Sequence, residues 1–197
     1  MTVNLAELTI GKPSVCRLSD AALIMIDAQN TYTTGVLKLH GIEPAMIAAR
    51  QVLEKARESG APVIHIMHDA GPGTPFDVTA EIGQIAPAVA PIEGEITIVK
   101  TYPNSFVETD LHDRLKAMGI ENLIFAGFMT HMCINSTVRA AFDLGYRNTV
   151  VGSATATRPL ALPERGVIDA ESLHQGSLAA LADIFATVVP TADDLPS

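Results

Sequence analysis

The sequence predicts a three-layer α/β fold built on a mainly parallel sheet. Short Val- and Ile-rich runs alternate with longer stretches of helical period, and turn residues flank the runs. The runs are continuously apolar instead of alternating polar and apolar, as expected of strands covered on both faces. Helices on either side of a parallel sheet provide that cover. No internal repeat, low-complexity tract or Pro/Ser linker interrupts the pattern, so residues 1–197 read as one domain.

The first strand is expected over Ala21–Ile26 and the first helix over Pro44–Ser59. That helix opens with Pro44 at N1, where a missing N–H costs nothing, and stops before Gly60. Its Met46, Ala49, Leu53 and Ala56 form one apolar stripe. A second strand follows over Pro62–Met67. Residues 69–94 then break the rhythm with GPGTPF and APAVAP, and read either as a plain connector or as a lid or pocket wall. Further strands are expected over Glu95–Val99, Asn122–Ala126, Thr149–Gly152 and Thr187–Val189, with helices over Glu108–Met118, His131–Leu144 and Ala170–Phe185. In the last helix, Leu173, Ser177, Ala180, Leu181 and Ile184 share a face.

The chain has 197 residues, 48% of them hydrophobic, enough for one substantial core. No apolar run approaches the ~18 residues needed to cross a bilayer. The start, MTVNLAELTIGKPSV, lacks a basic segment followed by an apolar one, so neither a secretory signal nor a membrane partner is expected, and the expected address is the cytoplasm. A net charge of −9 spread along the chain argues against nucleic acid, which needs clustered Lys and Arg. Cys16 and Cys133 lie far apart, and a reduced domain of this size needs no disulfide between them.

In an open parallel sheet, ligands bind beyond the carboxyl ends of the strands. Asp27 ends the first strand, Lys100 ends the third, and Cys133 follows the fourth within the first turn of the next helix. Singly, each has an ordinary reading: a buried small hydrophobe, a turn cap, a surface lysine. Together a thiol, a carboxylate and an ammonium supply a nucleophile, a base and a charge stabiliser. Bringing a thiol of pKa ~8.5 down to 7 requires about 2 kcal/mol. A helix N-terminus typically supplies 0.3–1 kcal/mol, so Lys100 is expected to supply the rest.

DAQNTY after one apolar strand, KTYPNSF after another, and GFMTHMCINSTVRAAFDLGYRNTVV resemble the three signature blocks of the isochorismatase-like cysteine hydrolases, over about Ala21 to Val189. The third block is the most specific, with its G-x-x-T-x-x-C ahead of a small-residue helix. The resemblance implies a Rossmann-like fold with a six-stranded sheet in order 3-2-1-4-5-6 and a homo-oligomer, a dimer or tetramer. It implies Cys133 as nucleophile, Asp27 as general base and Lys100 as the charge-stabilising group. It also implies a non-proline cis peptide at Phe128–Met129, with the Met129 and Cys133 N–H groups forming an oxyanion hole. The implied reaction hydrolyses a small amide, carbamoyl group or lactam through a thioester, with no organic cofactor.

Isochorismatases proper act on a vinyl ether and lack the cysteine, so Cys133 argues against the eponymous reaction. Nicotinamidases in the same family bind a metal through Asp-x-His and a second His after the second strand; HIMHDAGPG departs from that pattern. His65 and His68, three apart on a strand, face opposite sides, and no metal is expected. His65 is expected to pack against the sheet, with His68 or Asp69 at the pocket mouth. Gln29, Tyr32, Tyr102, Asn104, Phe106, Phe128 and Thr130 are the further substrate-contact candidates. Asn104 or Ser105 equally suits a helix cap, and Thr130 and His131 suit lining or capping alike. His174 is expected to be a packing residue. The alternatives to a hydrolase are a non-catalytic ligand-binding protein of the same fold and a nucleotide- or flavin-binding module. The second is weakened by the absence of G-x-G-x-x-G and of a P-loop.

Overall fold

The computed structural model describes residues 3–11 and 13–196. A short helix α1 (Leu5–Thr9) precedes β1 (Ala21–Ile26), α2 (Ile42–Glu58), β2 (Val63–His68), β3 (Ile96–Lys100), α3 (Leu111–Ala117) and β4 (Asn122–Phe128). A π-helical turn over Thr130–Ile134 leads into α4 (Asn135–Asp143). Then come β5 (Arg147–Ala156), β6 (Leu160–Leu162), β7 (Gly166–Ile168), α5 (Ala170–Ala182) and β8 (Thr187–Val189). Six strands form one sheet in the order β3-β2-β1-β4-β5-β8, and every neighbouring pair is parallel. This is the expected three-layer architecture and strand order, the sixth strand being β8 because the β6–β7 hairpin lies outside the sheet.

Alternation along each strand sends side chains to two cores. Leu23 and Met25 of β1 meet Met46, Ala49, Leu53 and Ala56 of α2, so the predicted stripe is the buried one. Ile24 and Ile26 face the other way, against Leu111 and Leu115 of α3, Val138 and Ala141 of α4, and Leu178 and Leu181 of α5. Full burial of a residue such as Leu53 contributes about 1.5–3 kcal/mol. On α5 the buried face runs through Ser177, Leu178 and Leu181, whereas Ala180 is exposed.

Several boundaries depart from expectation for local reasons. Helix α2 starts at Ile42 after Gly41, placing Pro44 inside the first turn instead of at its opening, still where no N–H is required. Helix α3 begins only at Leu111, because Glu108 adopts a left-handed φ of 54° that no helix accommodates. Strand β5 runs on to Ala156, its later residues pairing beside Gly127 and Phe128 after a register shift. The β6–β7 hairpin and α1 were not expected, being short and weakly patterned. His65 is fully buried as expected, and its Nε2 lies 2.9 Å from Glu95, which also holds Arg57 of α2 through two hydrogen bonds. Burial lowers the His65 pKa. Among the described residues no helix is long and apolar enough to cross a membrane.

Candidate active site

Strand order reverses between β1 and β4, and the crevice at their carboxyl ends is where such folds bind ligands. Asp27 stands immediately after β1 with φ 48°, its N–H bound to Ile66 O at 2.9 Å. A left-handed non-glycine residue is strained and persists only where its surroundings hold it, which points to a demand for this side-chain direction. Lys100 closes β3, paired in register with His68 at the end of β2. Neighbouring strands are about 4.8 Å apart, so about 10 Å separates β3 from β1, and a lysine is long enough to reach across β2.

The three predicted residues converge. Lys100 Nζ donates to Asp27 Oδ2 at 2.7 Å and to Cys133 Sγ at 3.5 Å, and lies 3.3 Å from His68 Nδ1. Relative exposure is 0% for Asp27, 1% for Lys100 and 5% for Cys133. Asp27 Oδ1 is buried with no hydrogen-bond partner. Burial raises the Asp27 pKa, opposed chiefly by the Lys100 charge. Burial, and after it the Asp27 charge, raises the Cys133 pKa far above its ordinary value despite Lys100. The expectation that Lys100 and a helix terminus bring the thiol toward neutrality is therefore corrected: desolvation of the thiolate outweighs them. Cys133 sits in the π-helical turn ahead of α4, and the Phe128–Met129 peptide is cis, as expected.

The remaining candidates divide. Tyr32 is buried, with Phe76 and Phe128 edge-on at 5.7 and 5.9 Å, and its phenol pKa is raised by burial, then by Asp27 and Cys133. His68 is half-buried against Phe76, whose ring is 5.0 Å away, and burial followed by Lys100 lowers its pKa. Phe76 thus makes residues 69–94 a wall over the β1–β2 side of the site. Asp69 turns back to accept from the Gly71 N–H. Gln29 has no exposure, and its amide donates to His68 O and Gly83 O and accepts from the His68 N–H. The amide's capacity is spent on backbone, so Gln29 clamps the wall instead of meeting a ligand.

Asn104 accepts from the Phe106 N–H in a local turn and caps no helix, α3 beginning only at Leu111 after Asp110. Phe106 is partly buried and stacks on Tyr146 at 6.0 Å, packed against the core cluster that also holds Cys133. Tyr102 is 44% exposed at the surface. Phe128 is fully buried behind Tyr32, and Thr130 is occupied by His174 Nδ1 at 2.9 Å. These five are therefore supports or surface residues in this structure. His131 Nδ1 lies 2.5 Å from Thr157 Oγ1. Sequence reading missed Arg158, which follows β5 at the same rim. The search for reactive residues just past each strand would have found it had the strand not been ended at Gly152.

Comparison with known proteins agrees with this fold. The isochorismatase domain model matches residues 21–193. A solved isochorismatase structure from Pseudomonas putida KT2440 superimposes with a TM-score of 0.95 at 43% identity, covering 99% of this chain and 100% of that one. The secreted isochorismatase effector Isc1 of Verticillium dahliae is 32% identical over 182 residues, 92% of this chain and 93% of its own. Ureidoacrylate amidohydrolase RutB of Stutzerimonas stutzeri is 30% identical over 180 residues, 73% of each chain. A chain with this sheet, this cis peptide and this buried Cys–Asp–Lys cluster, matched over nearly its whole length, belongs to the isochorismatase family.

Proposed function

We propose that the protein is a cysteine-dependent amidohydrolase that cleaves a C–N bond of a small amide, carbamoyl or lactam substrate through a thioester on Cys133. The observation that carries this reading is the meeting of Cys133, Asp27 and Lys100 at three strand ends. Relatives in the family act on C–N bonds, ureidoacrylate amidohydrolase among them, which supports the reaction class.

Asp27 has one oxygen held by Lys100 and one without a partner, and the free Oδ1 is suited to receive a proton. As Sγ attacks the carbonyl carbon, the thiol proton passes to Asp27. Moving the proton during attack avoids forming a free thiolate, which this dry site disfavours. The carbonyl oxygen gains the charge and takes hydrogen bonds from the Met129 and Cys133 N–H groups; among the described residues the Met129 N–H has no acceptor. Collapse expels the amine, which takes the proton from Asp27. Water then gives a proton to Asp27 and its hydroxyl to the thioester carbon, and the departing sulfur recovers the proton from Asp27. Lys100 keeps Asp27 ionised before the proton arrives. The reading includes a cytoplasmic address, where Cys16 and Cys133 stay free thiols, and a homo-oligomeric assembly.

The test is ammonia release from a panel of small amides and ureas by the wild type and Cys133→Ala, with mass spectrometry of the intact chain for an acyl adduct. Release that vanishes in the variant, with the adduct mapped to Cys133, supports the reading. Release that persists in Cys133→Ala would sink it.

A further inference from the structure

The turn that carries Cys133 is braced by side chains that the proposed chemistry does not use. Thr130–Ile134 form a π-helical turn whose Met129 carbonyl accepts from the Met132 N–H at 3.0 Å and the Ile134 N–H at 3.3 Å, and no side chain caps it. Its orientation therefore depends on what holds it from outside, and α5 does so at both ends. His174 Nδ1 lies 2.9 Å from Thr130 Oγ1 at the start of the turn. Just past its end, Asn135 Nδ2 donates to the Ser177 carbonyl at 3.5 Å. Residues three apart on a helix share a face, so one face of α5 spans the turn, with Cys133 between the two contacts. Helix α5 is itself seated in the core through Leu178 and Leu181, which share a cluster with Cys133 and Ile134. A further tie, His131 Nδ1 to Thr157 Oγ1, holds the turn to the residue after β5.

The Thr130 contact is the one that fixes a seat. Thr130 has no exposure, and among the described residues its hydroxyl has no other hydrogen-bond partner. A buried hydroxyl left without a partner is costly, so the turn has one favoured position, with Oγ1 against His174. Met129 directly precedes Thr130, and Cys133 lies three residues beyond it. Their N–H groups are the proposed oxyanion donors, whose value depends on where they point when charge develops on the carbonyl. A displacement of about 1 Å in such a site can cost about 100-fold in rate.

We propose that His174, which the sequence presents as a packing residue, is a positioning residue. Through Thr130 it seats the nucleophile turn so that the Met129 and Cys133 N–H groups converge on the substrate oxygen. This rests on the hydrolase reading for its effect on rate, but its hold on the turn is measurable without turnover. Because the His131–Thr157 tie remains, losing the α5 tie loosens the turn without detaching it.

Substitutions separate hydrogen bonding from packing. His174→Phe keeps a ring of similar size without the nitrogen. His174→Asn loses the ring but sets an amide atom, able to donate or accept, near the place of Nδ1. Thr130→Val and Thr130→Ser make the same comparison from the other side. Ammonia release from the amide panel gives kcat and KM, and hydrogen exchange reports the Met132 and Ile134 N–H groups. Urea unfolding checks each fold; where one substitution disrupts it, the variants of the other residue decide. His174→Phe and Thr130→Val are each expected to lower kcat about 10–100-fold and to change KM less than about threefold, because oxyanion donors act on the transition state. Their combination loses little more than either alone, while His174→Asn and Thr130→Ser keep most of the activity. Both apolar variants speed exchange at Met132 and Ile134. Full activity in His174→Phe with loss in His174→Asn would make the ring a packing group and overturn the proposal. A change confined to KM, losses that add in the double variant, or unaltered exchange in both apolar variants would overturn it too. Faster exchange in those variants of a chain that releases no ammonia from any amide would leave the hold on the turn standing and remove the hydrolase reading instead.

Discussion

Lys100 Nζ and Asp27 Oδ2 stand 2.7 Å apart with both side chains withdrawn from solvent. Breaking such a pair strands a buried charge, at a cost of about 3–5 kcal/mol, whereas replacing both partners is much less costly. Lys100→Met is expected to lower the unfolding free energy by about that amount, and Lys100→Met with Asp27→Asn to recover at least half. Urea unfolding of the single and double variants checks it; simply additive losses would contradict the coupling.

The same cluster sets the pH dependence. Asp27 must be ionised to accept a proton, and burial raises its pKa above the ordinary 3.8, so the acid limb of kcat/KM lies above that pH. Lys100 is the chief influence opposing the rise, so Lys100→Met moves the acid limb upward. The thiol is held protonated, so no limb from thiol ionisation is expected in the neutral range. A pH profile of kcat/KM for both forms measures each point. An acid limb that moves downward in Lys100→Met would contradict the assignment.

Gly127 carries φ 120°, and a Cβ there would overlap the Ile26 carbonyl. β4 thus approaches β1 at the switch point as only glycine allows. Gly127→Ala is expected to cost more than about 3 kcal/mol and to abolish activity by parting Asp27 from the Cys133 turn. Thermal unfolding and ammonia release report both effects; a variant of wild-type stability would refute the packing argument.

Gln29→Ala leaves the His68 N–H and two carbonyls without their partner. About 2–4 kcal/mol of local stability is expected to be lost, concentrated in residues 69–94. Hydrogen exchange should show faster exchange there than in α4, with activity reduced through the displaced wall. Uniform exchange across the chain would mean that Gln29 is no clamp.

The layers, the strand centres and the proposed catalytic trio were legible because each depends on local pattern. Ala21–Ile26 and Thr187–Val189 match their strands end to end, since a continuous apolar run bounded by turn residues has few other uses. Asp27, Lys100 and Cys133 stood out because strand ends are where parallel sheets place chemistry. Strand order and the cis peptide came from family resemblance alone, because neither leaves a mark on composition or periodicity.

By itself, then, the sequence determined where the principal strands and helices lie, that the strands are covered on both faces, and which three polar groups end strands of the sheet, for these follow from hydrophobic period and position along a strand. Tertiary structure alone decided who meets whom among the polar side chains. Gln29 was spent on backbone, Phe106 stacked on Tyr146, Arg158 came to the rim on an extended β5, and desolvation lifted the Cys133 thiol instead of lowering it. Hydrogen-bond partnership and burial depend on residues distant in the chain, and no local pattern encodes them.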